Sequence, residues 1–581
     1  MGEQRYRWKS SELREQAAVI DGKRSPTKVL VNATYLHSYF REWVKGNIWI
    51  HGDRIVYAGE RLPDRIDESC EIIDCRGYVL VPGYIEPHVH PFQLYNPHSF
   101  ARYAATYGTT TLLNDNLFFL LQLDDEEALL FLQEMNALPT SMYWWCRFDG
   151  QTELEREDEQ ISNARIKRWL DQETVLQGGE LTSWPKLASG DDIVLYWMQE
   201  AKRRRRKIEG HFPGASEKTL VKMALFGVDG DHEAMTGKEV RLRLWHGYTV
   251  TLRHSSIRPD LPVLLEEMKA LGIRYYDKCL LTTDGSPPAF YENGVMDQLL
   301  RIVIEHGVPV IDAYAMATIN AARHYGIEHL HGSIATGRIA HINFLRSAHD
   351  PTPVQVLAKG EWVKREGDSS GSWPALKWEQ FGIRPLSVSW ELEWDDLQFS
   401  MPMGLRLENA VIVKPYSVSI DTSRDRLGHD HDECFLMLLD RNGCWRVNTM
   451  LKGFSSALGG LASSYSNTGD FILIGKHKED MMLAFRRMKD IGGGIVLVED
   501  GNVLFELPLP LSGMTSTLEM ETLINEEKTF VRLLRERGYY FEDPVYSLFF
   551  LQSTHLPYVR ITQRGIYDVM HKTVLFPSIM R

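Results

Sequence analysis

Residues 78–90 read Tyr-Val-Leu-Val-Pro-Gly-Tyr-Ile-Glu-Pro-His-Val-His, an apolar run that ends in His88 and His90. Side chains two apart on an extended strand share a face, so both imidazoles point the same way. Two neutral imidazoles at one strand end make half of a divalent-metal site. Alone, a His-x-His pair is as ordinary on a wet strand end as in a metal centre. The surrounding sequence decides between the two.

From Tyr84 to about Gly307, extended and helical stretches alternate. Candidate strands cover 84–90, 109–115, 142–148, 174–180, 208–211, 225–232, 250–256 and 278–284, and stretches such as 125–137, 192–205, 261–270 and 296–305 have helical character. Eight strands in alternation with helices predict an α/β chain built on a (β/α)8 TIM-type barrel, whose chemistry belongs at the C-terminal strand ends. An open doubly wound sheet is the alternative, but no G-x-G-x-x-G follows the first strand. On the N-terminal side, residues 1–24 form a polar, helical extension. Short extended pieces (29–31, 47–51, 54–57, 71–74) follow, punctuated by Gly46, Asp53 and Gly59. Residues 25–80 and 335–365 are expected to make one composite β domain around a barrel spanning 81–334. An alanine-rich helix is expected at 312–325, a linker at 366–384 with a Ser/Gly stretch at 366–373, and an α+β domain at 385–581. In that last domain, strands are expected at 410–420, 471–474 and 494–499, and helices at 479–491 and 518–537.

Metal-ligating residue types recur at the barrel strand ends: His88 and His90, then Glu180, His211, His232 with Glu233, and Asp284. Each has an ordinary reading, since a strand-end Asp caps helices and a lone His is usually hydrogen-bonded. Their coincidence at five of eight strand ends points to a metal site. Four histidines and two carboxylates suffice for two divalent ions, with Glu180 as the bridge that offsets repulsion between the cations. Asp284 is the natural proton carrier. Glu233 follows a ligand directly, so strand alternation turns it away unless the chain bends. It is expected beside the ligands, against substrate, or as a buried structural acid. The donor set suits zinc, iron and manganese alike.

The rest of the composition narrows the class. Hydrophobic content of 44% and charged content of 25% are globular values. A net charge of −13 argues against a nucleic-acid partner, and the basic run 202–207 reads as a solvated helix end. Six cysteines without a C-x-x-C pair suit a reducing, cytoplasmic setting. The charged N-terminus lacks the apolar core of a signal peptide, and no window is long and apolar enough for a membrane span. H-E-x-x-H and the cytidine-deaminase signature are absent. Gly492–Gly494 reads as a turn, and the His/Asp-rich stretch 429–433 as a solvated loop.

The ordered motifs PGYIEPHVH (82–90), GTTTLLND (108–115), GGELTSWP (178–185), EGHFPGAS (209–216), GDHEAMTGKEV (230–240), LTTDG (281–285) and MATINAARHYG (316–326) together resemble adenine deaminases of the amidohydrolase superfamily. The segment 492–513 resembles that family's extra C-terminal domain. The resemblance implies hydrolytic removal of ammonia from C6 of adenine. It also implies ligand roles for His88, His90, Glu180, His211 and His232, and a double role for Asp284 as ligand and acid/base. Pro91-Phe92-Gln93 stands where the family has Ile-Glu-Ser, and Asp115-Asn116-Leu117-Phe118 where it has Asp-Pro-His-Glu. The family's C-terminal His-Asp-Ser-His is replaced around Tyr465-Ser466-Asn467-Thr468. Gln93, Asn116, Leu117, Phe118 and Ser256 are therefore the expected pocket residues. If Leu117 and Phe118 face substrate, they form an apolar wall for an N6-alkyl group. This points to a branch resembling N6-methyladenine deaminases, acting on adenine and/or N6-methyladenine to give hypoxanthine and ammonia or methylamine. The alternatives are another cyclic amide or amidine, such as a different aminopurine or a pterin, and a catalytically silent purine-binding protein. The expected partner is a small purine base, with a homodimer left open and the C-terminal domain as a lid or wall.

Overall fold

The computed structural model describes residues 7–366 and 373–581. Most of the Ser/Gly stretch and the first six residues of the N-terminal extension lie outside them. The helix Ser10–Ile20 leads into a sheet that includes Lys28–His37, Glu42–His51, Arg54–Gly59, Glu71–Asp74 and Val79–Pro82. Ile342–Leu345, Gln355–Ala358 and Glu361–Lys364 return to the same sheet. The joint is the antiparallel pairing of Val79–Pro82 with Ile342–Leu345, one residue before the barrel begins.

Eight parallel strands follow in sequence order: β1 (Tyr84–Val89), β2 (Thr109–Asp115), β3 (Ser141–Cys146), β4 (Val175–Leu181), β5 (Lys207–Gly210), β6 (Gly230–Asp231), β7 (Thr249–Arg253) and β8 (Cys279–Thr282). Runs such as TTTLLND and SMYWWC are buried along their whole length, as strands covered on both faces require. Helices such as Asp192–Arg203, capped by the Asp191 carboxylate, surround them. The seam between β1 and β8 is bridged by Glu86. Its carboxylate accepts from Thr282 Oγ1 (2.7 Å), Thr283 N (2.9 Å) and Thr283 Oγ1 (2.8 Å). Glu86 thus holds the strand carrying His88 against the turn carrying Asp284.

Three elements differ from expectation by more than their end points. The strand expected over 225–232 shrinks to Gly230–Asp231, because residues 225–226 finish the helix Glu217–Phe226, which Gly227 terminates at φ +107°. The helix expected over 312–325 is two helices, Val310–Met316 and Ile319–Tyr325. Between them the Ala317 carbonyl accepts from Ile85 N of β1 at 2.8 Å, so the chain leaves helical geometry to serve the barrel. The strand expected over 410–420 is Val413–Ser417. Before it, Asn409 Oδ1 accepts from Val411 N and Ile412 N and makes a turn at the barrel mouth.

The C-terminal region is α+β. Its nine-stranded sheet begins at Met403–Leu407, and a three-stranded sheet spans Val559 to Pro577. This region covers the C-terminal ends of the barrel strands. Ser256 Oγ donates to Asp543 (2.9 Å), Tyr546 Oη donates to the Gly285 carbonyl (3.3 Å), and Tyr465 Oη donates to Gln93. No described helix is long and apolar enough to cross a membrane.

Candidate metal centre and active site

The barrel brings the six expected ligand residues into one cluster. Glu180, at the end of β4, lies at its middle: Oε1 is 2.7 Å from His211 Nδ1 and 3.4 Å from His232 Nε2, and Oε2 is 3.8 Å from His88 Nε2. Asp284 Oδ1 is 3.3 Å from His88 Nε2 and 3.4 Å from His90 Nε2. Ligand atoms within 4.8 Å of one another form three overlapping triads: His88–His90–Glu180, His88–His232–Asp284 and Glu180–His211–His232. His88 Nε2 is buried without a hydrogen-bond partner among the described residues. Buried polar atoms are nearly always paired, so a bare imidazole nitrogen inside a His/carboxylate cluster fits a bound divalent cation.

The surroundings fix this arrangement. His90 Nδ1 shares a hydrogen bond with Asp115 at 2.8 Å, and His232 Nδ1 a longer one with Glu209 at 3.4 Å. Such outer carboxylates set the tautomer and ring angle of a metal-binding histidine. Trp145 stacks on His88 with centroids 4.5 Å apart. Asp284 has φ +54°, a left-handed conformation that a non-glycine residue adopts at a cost. Gly285 follows at φ +57°, and a Cβ there would lie 2.3 Å from His90 N. Only a glycine lets this turn approach the first histidine strand so closely.

Charge is arranged around the cluster. Arg147 is buried, its Nε donating to both oxygens of Asp115 (2.9 and 3.0 Å) and its Nη2 2.7 Å from Glu180 Oε2. Burial pushes the Glu180 carboxyl up. Arg147, with His211 and His232, outweighs burial and holds it well below the usual range. Asp284 behaves likewise: burial opposes ionisation, and Arg253, 2.7 Å from Oδ2, with His90 keeps it anionic. Glu233 lies between Arg253 Nη1 (2.6 Å) and Arg258, 3.6 Å from His232 Nε2 and 3.8 Å from His211 Nδ1. Alternation does not govern it, because β6 ends at Asp231. The Asp231 carboxylate accepts from Glu233 N (3.1 Å) and turns the chain there.

Above the cluster opens a cavity of about 440 Å³, the size of a small-molecule site. Gln93 lines it; Asn116, Leu117, Phe118 and Ser256 do not. Asn116 instead accepts from Arg147 N (2.9 Å), and Ser256 is tied to Asp543. Leu117 and Phe118 face a separate small recess behind Phe92 and Phe549, the two rings that wall both spaces. The apolar wall expected of Leu117 and Phe118 is thus one layer too deep, because β2 is followed at once by the helix Leu117–Gln122, which turns these side chains into the core. Sequence reading also passed over Arg147, Arg253, Arg258, Gln151 and His555. A signal existed for two of them: Arg147 and Arg253 are charged residues at the end of the apolar strand runs MYWWC and TVTL.

Residues 79–363 match the model of the amidohydrolase family, and residues 410–573 match that of the adenine deaminase C-terminal domain. A Halalkalibacterium halodurans protein provisionally named an adenine deaminase is 58% identical over 581 residues, covering 100% of both chains. The chain belongs to the adenine deaminase family of amidohydrolases. A Bacillus subtilis relative of the same provisional name is 52% identical over 100% of each chain. An adenine deaminase of Nitratidesulfovibrio vulgaris is 27% identical over 96% of this chain and 97% of its own. Membership in this family makes the protein an amidohydrolase of the adenine deaminase type, and its buried His, Glu and Asp groups are the metal-binding groups of that fold.

Proposed function

We propose that the protein hydrolyses the C6 amino group of a free 6-aminopurine, adenine or its N6-methyl form, giving hypoxanthine and ammonia or methylamine. The observation that carries this reading is the cluster of four histidines and two carboxylates that includes Glu180, at the floor of a cavity walled by Phe92, Tyr546, Phe549 and Phe550. His88, His90, Glu180, His211, His232 and Asp284 would hold the divalent metal; manganese, iron and zinc all suit these donors. When bound, such ions lower the pKa of water and make hydroxide available near neutral pH.

The chain's own residues do the rest. Asp284 Oδ1 faces the histidines and takes the proton of the attacking water. It then delivers a proton to the departing nitrogen, so that one water is consumed and one amine leaves. Arg253 on the other oxygen keeps Asp284 ionised between turnovers. Glu233, held by Arg253 and Arg258, faces the same cavity and is placed to hydrogen-bond a protonated ring nitrogen. The aromatic walls take the flat base and exclude bulk water.

N6-methyladenine is a second substrate on this reading, favoured by the apolar groups that do reach the cavity, Phe92, Met235, Ile257 and Phe549. A buried methyl is worth about 0.8 kcal/mol, roughly fourfold in kcat/KM. The test is turnover of adenine and of N6-methyladenine by protein supplemented with each metal, following hypoxanthine by chromatography. Hypoxanthine from either base supports the reading. Bound metal with no product from either base would sink it.

A further inference from the structure

We infer that Gln151 and His555, the second of them contributed by the C-terminal region, are specificity-determining residues that contact the ring nitrogens of the substrate. This rests on the reading of the substrate as a purine base. Gln151 follows β3 with φ +58°. That conformation is held from two sides: Gln151 N donates to Asp149 (3.1 Å), and the Gln151 carbonyl accepts from Thr554 N (2.9 Å). Beside it, Thr152 Oγ1 donates to the Gln552 carbonyl (2.6 Å). The barrel loop and the segment carrying His555 are thus stitched together residue by residue. Such strain persists where the surroundings over-determine it, and it concentrates at ligand sites.

The two side chains face the same cavity as Glu180 and His211. With its oxygen toward Arg147, the Gln151 carboxamide accepts from Nη1 at 2.8 Å and Nη2 at 3.2 Å. The orientation follows from the hydrogen-bond network. It puts the NH2 donor on the side of the carboxamide away from Arg147. Gln93 is set the same way on the other side, its oxygen taken by Tyr465 Oη. His555 packs edge-on against His211 and Phe550, with centroids 5.6 and 5.7 Å away. Its Nδ1 is buried with no hydrogen-bond partner among the described residues. The unsubstituted nitrogens of a purine ring are acceptors, and its remaining N–H is a donor. An amide NH2 and an imidazole edge match that pattern, and neither residue belongs to the ligand cluster.

The variants His555→Phe and Gln151→Met keep side-chain bulk and remove the polar edge. Each is compared with wild type in kcat and KM for the better base, in calorimetric affinity for hypoxanthine, and in metal content per chain. His571→Asn, far out on the exposed C-terminal sheet, is the control. The expected result is a roughly 10- to 100-fold rise in KM and a matching loss of hypoxanthine affinity, with metal content unchanged. Deaza-adenines, each lacking one ring nitrogen, should bind wild type more weakly. For one of them the His555→Phe penalty should vanish, because the partner is already gone. Wild-type KM and affinity in both variants would overturn the inference while leaving the deaminase reading intact. Loss of metal in either variant would overturn it too, by showing that the residue acts through the cluster. Failure of wild-type protein to bind or turn over any purine would remove the functional reading, and this inference with it.

Discussion

Replacing Asp115 with Asn tests whether the carboxylate behind His90 builds the metal centre. Asp115 is fully buried, accepts from Leu117 N (2.9 Å) and from Arg147 Nε, and is hydrogen-bonded to His90 Nδ1 at 2.8 Å. Asn preserves the shape but removes the charge. Arg147 keeps Glu180 as its remaining anion, so the stability loss should sit near the lower end of the range for breaking a buried pair, about 3 kcal/mol. His90 loses its charged orienting partner, which typically weakens metal binding ~10- to 100-fold, about 1.4–2.8 kcal/mol. Glu209→Gln makes the internal comparison. Its contact with His232 is 3.4 Å, so its effect on metal affinity should stay below about tenfold. Competitive chelator titration with elemental analysis reads both affinities, and calorimetry with and without metal reads the linked gain in Tm. Folded Asp115→Asn protein with wild-type metal affinity would refute the reasoning, as would a larger loss in Glu209→Gln.

Three further outcomes are expected. Gly285→Ala puts a Cβ 2.3 Å from His90 N at φ +57°, so metal per chain and Tm should both fall; wild-type metal content in this variant would show that the turn has slack. Glu527 is pushed well above the usual carboxylate range by burial and then by Asp543, so the native state keeps a proton that the unfolded chain releases. Raising pH above the ordinary carboxylate range therefore lowers stability, until Glu527 ionises in the native state too. Glu527→Gln should remove that dependence and raise Tm more at pH 8 than at pH 5; an equal shift at both would count against it. Chelation should abolish turnover and lower Tm, and added divalent metal should restore both. Turnover that survives complete metal removal would exclude the mechanism proposed for this cluster.

Much of the barrel was legible because its signals are local. The residues of β2, and the helices Leu261–Ala270 and Met296–Glu305, stand where periodicity and punctuation put them. The break at Ala317 was not, since it answers to a hydrogen bond from Ile85, more than two hundred residues earlier in the chain. The ligand types were readable from their positions at strand ends. The position of Glu233 was not, because it depends on the Asp231 carboxylate turning the chain.

By itself, the sequence determined which residue types end the strands, and therefore a barrel with a His/carboxylate centre around Glu180. Alternation along a strand is a property of neighbouring residues and survives without any knowledge of what packs opposite. Only the tertiary structure decided that Leu117 and Phe118 lie behind the cavity wall, that Arg147 and Arg253 neutralise Glu180 and Asp284, and that Gln151 lines one cavity with a histidine about four hundred residues away. Periodicity tells which face a side chain takes. What lies across from that face is set by how distant elements pack.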